Sequence, residues 1–93
     1  MISRVVLGRR VIKGLSRLPR HVAEKLYEWV GAVGFLGLEE VRKIAGYHDE
    51  QLKGDRKGQR SIRLSRAYRA LYVVTHDGAA EVAVIEEVTK HDY

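Results

Sequence analysis

RSIRL (Arg60–Leu64), YRALYVV (Tyr68–Val74) and AEVAVIEEV (Ala80–Val88) follow one another with only short polar breaks, SRA (Ser65–Ala67) and THDG (Thr75–Gly78), between the main runs. Branched and aromatic residues that alternate with polar ones, or run together, are the pattern of strands. Asp77-Gly78 tolerates the positive dihedral angles of a tight hairpin turn. The three runs therefore predict an antiparallel meander. With Ile62 and Leu64 in the core, Arg60 and Arg63 are expected on the opposite side of the sheet, and Leu71 and Val73 are assigned to the core.

Upstream, Ile2–Leu7 reads as a first strand, its direction in the sheet left open. Apolar spacing predicts a helix over Arg9–Leu18 and a second over Arg20–Val30 on a Val22, Leu26, Val30 stripe, with Pro19 either ending the first or starting the second. Gly31, Gly34 and Gly37 are expected to form a turn that carries Phe35 and Leu36 inward. Leu38, Val41 and Ile44 predict a short third helix, with Glu39 and Glu40 in its first turn, where acids suit the helix dipole, and Gly46 as its C-cap. Asp55–Gly58 is expected to be a charged loop, and Thr89–Tyr93 to leave the sheet. The fold class is α+β, with the N-terminal helices on one face of an antiparallel-dominated twisted sheet and the other face open to a ligand.

Charge marks that ligand. Glu50–Arg69 holds seven basic residues, Lys53, Arg56, Lys57, Arg60, Arg63, Arg66 and Arg69, against Glu50 and Asp55. The chain as a whole carries 17 Lys+Arg and 12 Asp+Glu, so outside this stretch the two signs balance and the whole excess of +5 is local. Concentrated charge directs a field toward a polyanion, of which a phosphate backbone is the plainest case, whereas dispersed charge chiefly serves solubility. The bland reading of the same residues is a sheet edge guarded by arginines.

The 93 residues suit one domain, residues 1–93. Without cysteine there is neither a disulfide framework nor a thiolate site. No signal peptide and no apolar run of membrane-spanning length is visible, and a cytoplasmic protein without membrane association is expected. His48-Asp49, His76-Asp77 and His91-Asp92 are adjacent pairs rather than spaced ligand sets, so no metal and no cofactor is expected. His21 and His76 read as surface residues, and Trp29 as helix packing. His48 and His91 flank the basic stretch, and Tyr93 follows as a group able to exchange a proton or stack on a base.

Leu52-Lys53-Gly54, then Arg60-Ser61-Ile62-Arg63-Leu64, Tyr68-Arg69-Ala70-Leu71-Tyr72 and the ending Glu86-Glu87-Val88-Thr89-Lys90-His91-Asp92-Tyr93 closely resemble the RelE/HigB-like toxins of bacterial type II toxin-antitoxin systems, within the RelE/ParE superfamily. The resemblance implies a microbial-RNase-like fold and a metal-independent endoribonuclease that cuts mRNA in the ribosomal A site and is neutralised by a cognate antitoxin. It assigns catalysis to His48, Arg63, Arg69, His91 and Tyr93, contacts with mRNA or 16S rRNA phosphates to Lys53, Arg56, Lys57, Arg60 and Arg66, and an RNA contact to Asp92. A ParE-like inhibitor of DNA gyrase and a non-enzymatic nucleic-acid-binding module are the alternatives.

Overall fold

The computed structural model describes residues 1–90. His91, Asp92 and Tyr93, which carry three of the site expectations, lie outside the described residues. Strand β1 (Val5–Leu7) leads to helix α1 (Arg9–Gly14), a single 3-10 turn, helix α2 (Arg20–Leu36) and helix α3 (Leu38–Arg42). Strands β2 (Glu50–Gln51), β3 (Arg60–Arg63), β4 (Tyr68–Asp77) and β5 (Ala80–Lys90) complete one sheet in the order β1-β5-β4-β3-β2. The meander is antiparallel throughout, and β1 joins β5 in parallel. Chain direction at β1 depends on the helices that intervene before the meander, which is why periodicity left it open.

Helix α2 exceeds its expected end by two turns. Neither Gly31 nor Gly34 has a positive φ; the reversal is placed at Gly37, with φ 87°. Val22, Leu26, Trp29 and Val33 form the buried stripe, all fully enclosed, and burying Val33 outweighs the modest helix penalty of two glycines. The expectation that Phe35 and Leu36 turn inward fails: Phe35 is 85% exposed and Leu36 42%. Past Gly37, the Leu38 N–H donates to the Ile2 carbonyl, 2.7 Å, which secures the N-terminal segment. Helix α3 ends at Arg42, short of the expected Ile44, and Gly46 sits inside a later 3-10 turn rather than capping it.

Because a Cβ at Gly31 would meet nothing within 4 Å, Gly31→Ala is expected to stabilise the protein by about 0.5–1 kcal/mol through helix propensity alone. A thermal melt that shows no gain would place a turn, not a helix, at this position.

Strand parity decides which side chains meet the helices. Ile62 and Leu64 from β3 and its end, Ala70 and Tyr72 from β4, and Ala83 and Ile85 from β5 join the stripe of α2 in one core. Leu71 and Val73 therefore do not face the helices as expected; Tyr68, Tyr72 and Val74 do. The sheet face opposite holds Ser61, Arg63, Arg69 and Leu71. Trp29 packs on Tyr72 with ring centroids 5.1 Å apart.

One irregularity shapes the open face. Tyr72 pairs with Ile85 but Leu71 pairs with Glu87, so Glu86 is an extra residue in β5. A bulge of this kind exchanges the two faces of the strand beyond it. Ile85 stays in the core, while Glu87 and Thr89 turn to the side of Leu71 and Arg69. Strand β5 also continues to Lys90, with Thr89 and Lys90 paired to Arg69 and Tyr68 instead of leaving the sheet.

Candidate functional site

The open face carries a cleft of about 490 Å³. Its floor is Ser61, Leu71 and Arg69, its walls are Glu50, Leu52 and Arg56 on one side and Thr89 and Lys90 on the other. Arg63 and Arg69 are direct cross-strand partners. Like charges placed opposite one another destabilise a sheet, and among the described residues neither arginine has a carboxylate within ion-pair distance to offset this. Such a pair fits an oxyanion, since two guanidinium forks can share one phosphate. Arg69 is oriented from below by Ser61, a buried hydroxyl only 2% exposed, which accepts from Arg69 Nη1 at 3.1 Å.

The loop between β2 and β3 is tied across to the bulge of β5. Arg56 Nη1 donates to Glu87 Oε2 at 3.3 Å and Gln59 Nε2 to Glu86 Oε1 at 2.9 Å. Arg56 thus joins the cleft as expected, with its charge partly neutralised. Lys53 and Lys57 line a neighbouring hollow of about 320 Å³ that shares Leu52 with the cleft. Arg66 is exposed in the β3–β4 turn, where Ser65 Oγ accepts from the Ala67 and Tyr68 amides.

Arg60 departs from expectation. It has the same strand parity as Ile62 and Leu64, so it faces the helix layer, not the cleft. There its Nε donates to Asp49 Oδ1 at 2.6 Å; the Asp49 side chain is 1% exposed. Tyr72 Oη donates to the other Asp49 oxygen at 2.5 Å, and Arg42 Nε donates to Tyr72 Oη at 3.2 Å. Burial works against charge on Arg60, but the Asp49 carboxylate outweighs it and holds the guanidinium above its ordinary value. Burial first, then the bond to Asp49, pushes the Tyr72 phenol up to about 12.

A second buried phenol, Tyr47, donates to Glu28. Burial and that carboxylate push Tyr47 well up, while the same bond, then Lys25, holds Glu28 down. A phenol that ionises near 10 in an unfolded chain binds its proton more tightly here, so its contribution is complete below pH ~10 and disappears as pH rises through the folded value. Tyr72, with its folded value of about 12, is therefore expected to lose its contribution over roughly pH 10–12. Urea midpoints measured up that range should fall, and the fall should be shallower for Tyr72→Phe.

His48 adopts the left-handed conformation, φ 45°, and is exposed. Asp49 turns inward from the same turn and His48 outward, and His48 is not among the residues that line the cleft. His21 and His76 are exposed as expected. Among the described residues no cluster of three or more His, Asp or Glu could hold a metal, and no helix is long and apolar enough to cross a membrane. Arg56 and Arg69 line the cleft, and Arg63 stands beside Arg69 as its cross-strand partner without itself lining the cleft; Arg60 and His48 do not join them. Glu50, Glu87, Ser61 and Asp49 were overlooked. Asp49 carried a faint signal, as an acid just ahead of a long basic run.

No protein-family model matches this sequence, and no curated protein does. Solved structures match over nearly the whole chain. The YoeB/ParE toxin from Agrobacterium tumefaciens superposes with a TM-score of 0.70 at 18% identity, over 96% of this chain and 99% of that one. A chain of the archaeal RelE-RelB complex from Pyrococcus horikoshii OT3 gives 0.70 at 22%, over 97% and 96%. YafQ from E. coli gives 0.67 at 17%, over 92% and 90%. At these identities the likeness is one of architecture, and the chain has the α+β fold of the RelE, YoeB and YafQ toxins.

Proposed function

We propose that this protein is the toxin of a toxin-antitoxin pair, a metal-independent endoribonuclease that cuts mRNA on the ribosome, in the cytoplasm. The observation that carries this reading is the Arg63–Arg69 pair, without a carboxylate in ion-pair distance among the described residues, on the open face of a toxin fold. A scissile phosphate lies against the two guanidiniums. The ribose 2'-oxygen attacks phosphorus as its proton passes to a base, and the P–O5' bond breaks as that oxygen gains a proton. The products are a 2',3'-cyclic phosphate and a 5'-hydroxyl, and no metal takes part. Charge that builds on the phosphorane is held by Arg63 and Arg69.

His91 is the base of this proposal and Tyr93 the acid, with Asp92 on the RNA. Support comes from β5, which ends at Lys90 on the cleft wall, with His91 next in sequence. His48, which is not among the residues that line the cleft, is the weaker candidate for either proton transfer. Lys53, Lys57 and Arg66 hold flanking phosphates of mRNA or 16S rRNA. A cognate antitoxin is the expected protein partner, as the RelE-RelB and Staphylococcus aureus YoeB-YefM complexes illustrate for their own chains.

Regulated expression with mapping of mRNA 5' ends tests the reading, comparing the native chain with Arg63→Ala and His91→Ala. New 5'-hydroxyl ends within translated messages, lost in both variants, support it. Gyrase-dependent DNA breaks with intact messages would select the ParE-like alternative, and RNA binding without cleavage the binding module.

A further inference from the structure

Behind the sheet, at its β2–β3 edge, a third hollow of about 200 Å³ is lined by Arg42, Gln51, Gly58, Arg60 and Val74. Both arginines are anchored through Nε, Arg60 to Asp49 and Arg42 to Tyr72. Among the described residues the terminal nitrogens of Arg42 have no hydrogen-bond partner and Arg60 is further supported only by the neighbouring Tyr72 phenol, so two forks are held in place with donors to spare. Asp49 is buried and already bonded twice, and among the described residues Arg42 has no carboxylate within ion-pair distance. Fixed guanidiniums with free donors are suited to an oxyanion, and their orientation needs no reordering on binding.

This hollow is not isolated. It shares Gln51 with the Lys53–Lys57 hollow, which shares Leu52 with the cleft. Strand β2 is the outermost of the sheet, and its two residues divide between the ends of the path: Glu50 lines the cleft and Gln51 the rear hollow. Cations thus follow one another around the edge from Arg69 and Arg56 through Lys53 and Lys57 to Arg60 and Arg42. Of the carboxylates along this route, Glu87 is engaged by Arg56 and Asp49 by Arg60, whereas Glu50 on the cleft wall and Asp55 in the loop have no cation within ion-pair distance among the described residues and are outnumbered by the six cations.

We infer that an RNA strand seated in the cleft continues around the β2 edge and places one of its backbone phosphates between Arg42 and Arg60 on the helix side of the sheet. The inference rests on the RNA reading above and adds to it a distal phosphate site, so that strand length, not only the scissile step, is read by the protein. Arg42 is a binding residue here and has no part in the chemistry.

The test uses 2'-O-methyl RNA, which cannot be cleaved, in lengths of about 4 and about 10 nucleotides, within the range of single-strand site sizes. Affinity is measured across a salt series for the native protein, Arg42→Gln and Arg42→Lys. Arg60 is avoided because its loss leaves Asp49 buried and unpaired. The longer oligomer should bind the native protein with the steeper salt dependence. Arg42→Gln should weaken that oligomer alone and flatten its log–log slope by about 0.7, one phosphate's share on a single strand, while Arg42→Lys retains the slope. If the native protein binds long and short oligomers alike, or Arg42→Gln leaves the long oligomer's affinity and slope unchanged, the distal site is wrong and the cleft reading survives. If the native protein binds neither oligomer, the distal site is wrong, while the cleavage reading stands or falls on the mapped mRNA ends.

Discussion

Asp49→Ala is expected to cost about 3–5 kcal/mol, the loss typical when one partner of a buried ion pair is removed. The side chain is 1% exposed and receives two donors, Arg60 Nε at 2.6 Å and Tyr72 Oη at 2.5 Å. Its removal leaves a guanidinium and a buried phenol without an acceptor, and the helix layer loses the link from Arg42 through Tyr72 to β3. A small domain has about 5–15 kcal/mol in total, so the variant should unfold at a much lower urea midpoint, or be unfolded at the outset. Asp49→Asn, which keeps an acceptor but not the charge, should fall between. A midpoint for Asp49→Ala within a few tenths of a molar of the native value would mean that Arg60 is solvated and that the network has no structural weight.

Arg69→Ala is expected to lower cleavage about 10²–10³-fold, the usual effect of removing one donor aimed at charge that develops in the transition state. Folding should change little, because among the described residues the only hydrogen bond of the Arg69 side chain is to Ser61 and its cross-strand neighbour is another cation. Relief of that like-charge pairing acts in the stabilising direction. Lys53→Ala should instead weaken RNA affinity and flatten its salt dependence with a smaller effect on the cleavage step. Equal losses of binding and cleavage in Arg69→Ala, measured in single turnover against equilibrium affinity, would make Arg69 a phosphate anchor without a role in the reaction.

Local pattern made most of the elements readable. The α2 stripe, the acids that open α3, and the Asp77-Gly78 reversal each act over a few residues, where propensity and turn chemistry dominate. The misreadings share another cause. Gly31 and Gly34 look like a turn until Val33 is seen to be buried, and Ile44 looks apolar enough for a core it does not enter. Packing energy, which no window of sequence contains, overrode propensity at both places. At the site, Arg60 is expected beside Arg63 on the open face, although residues 60, 62 and 64 share one strand parity and only Arg63 has the opposite one.

From the chain itself come the three-strand meander, the helices ahead of it, and a charge excess confined to one stretch, since each follows from side-chain type and near-neighbour spacing. Tertiary structure decided the rest. An extra residue at Glu86 turned Glu87 and Thr89 toward Arg69, and register set Arg63 against Arg69. Arg60 and Arg42 reached a common hollow only because β3, β4 and α3 meet around Tyr72. Those outcomes depend on which strands pair and which face each presents to the helices. These are properties of contacts between residues far apart in sequence, and they exist only once the chain has closed on itself.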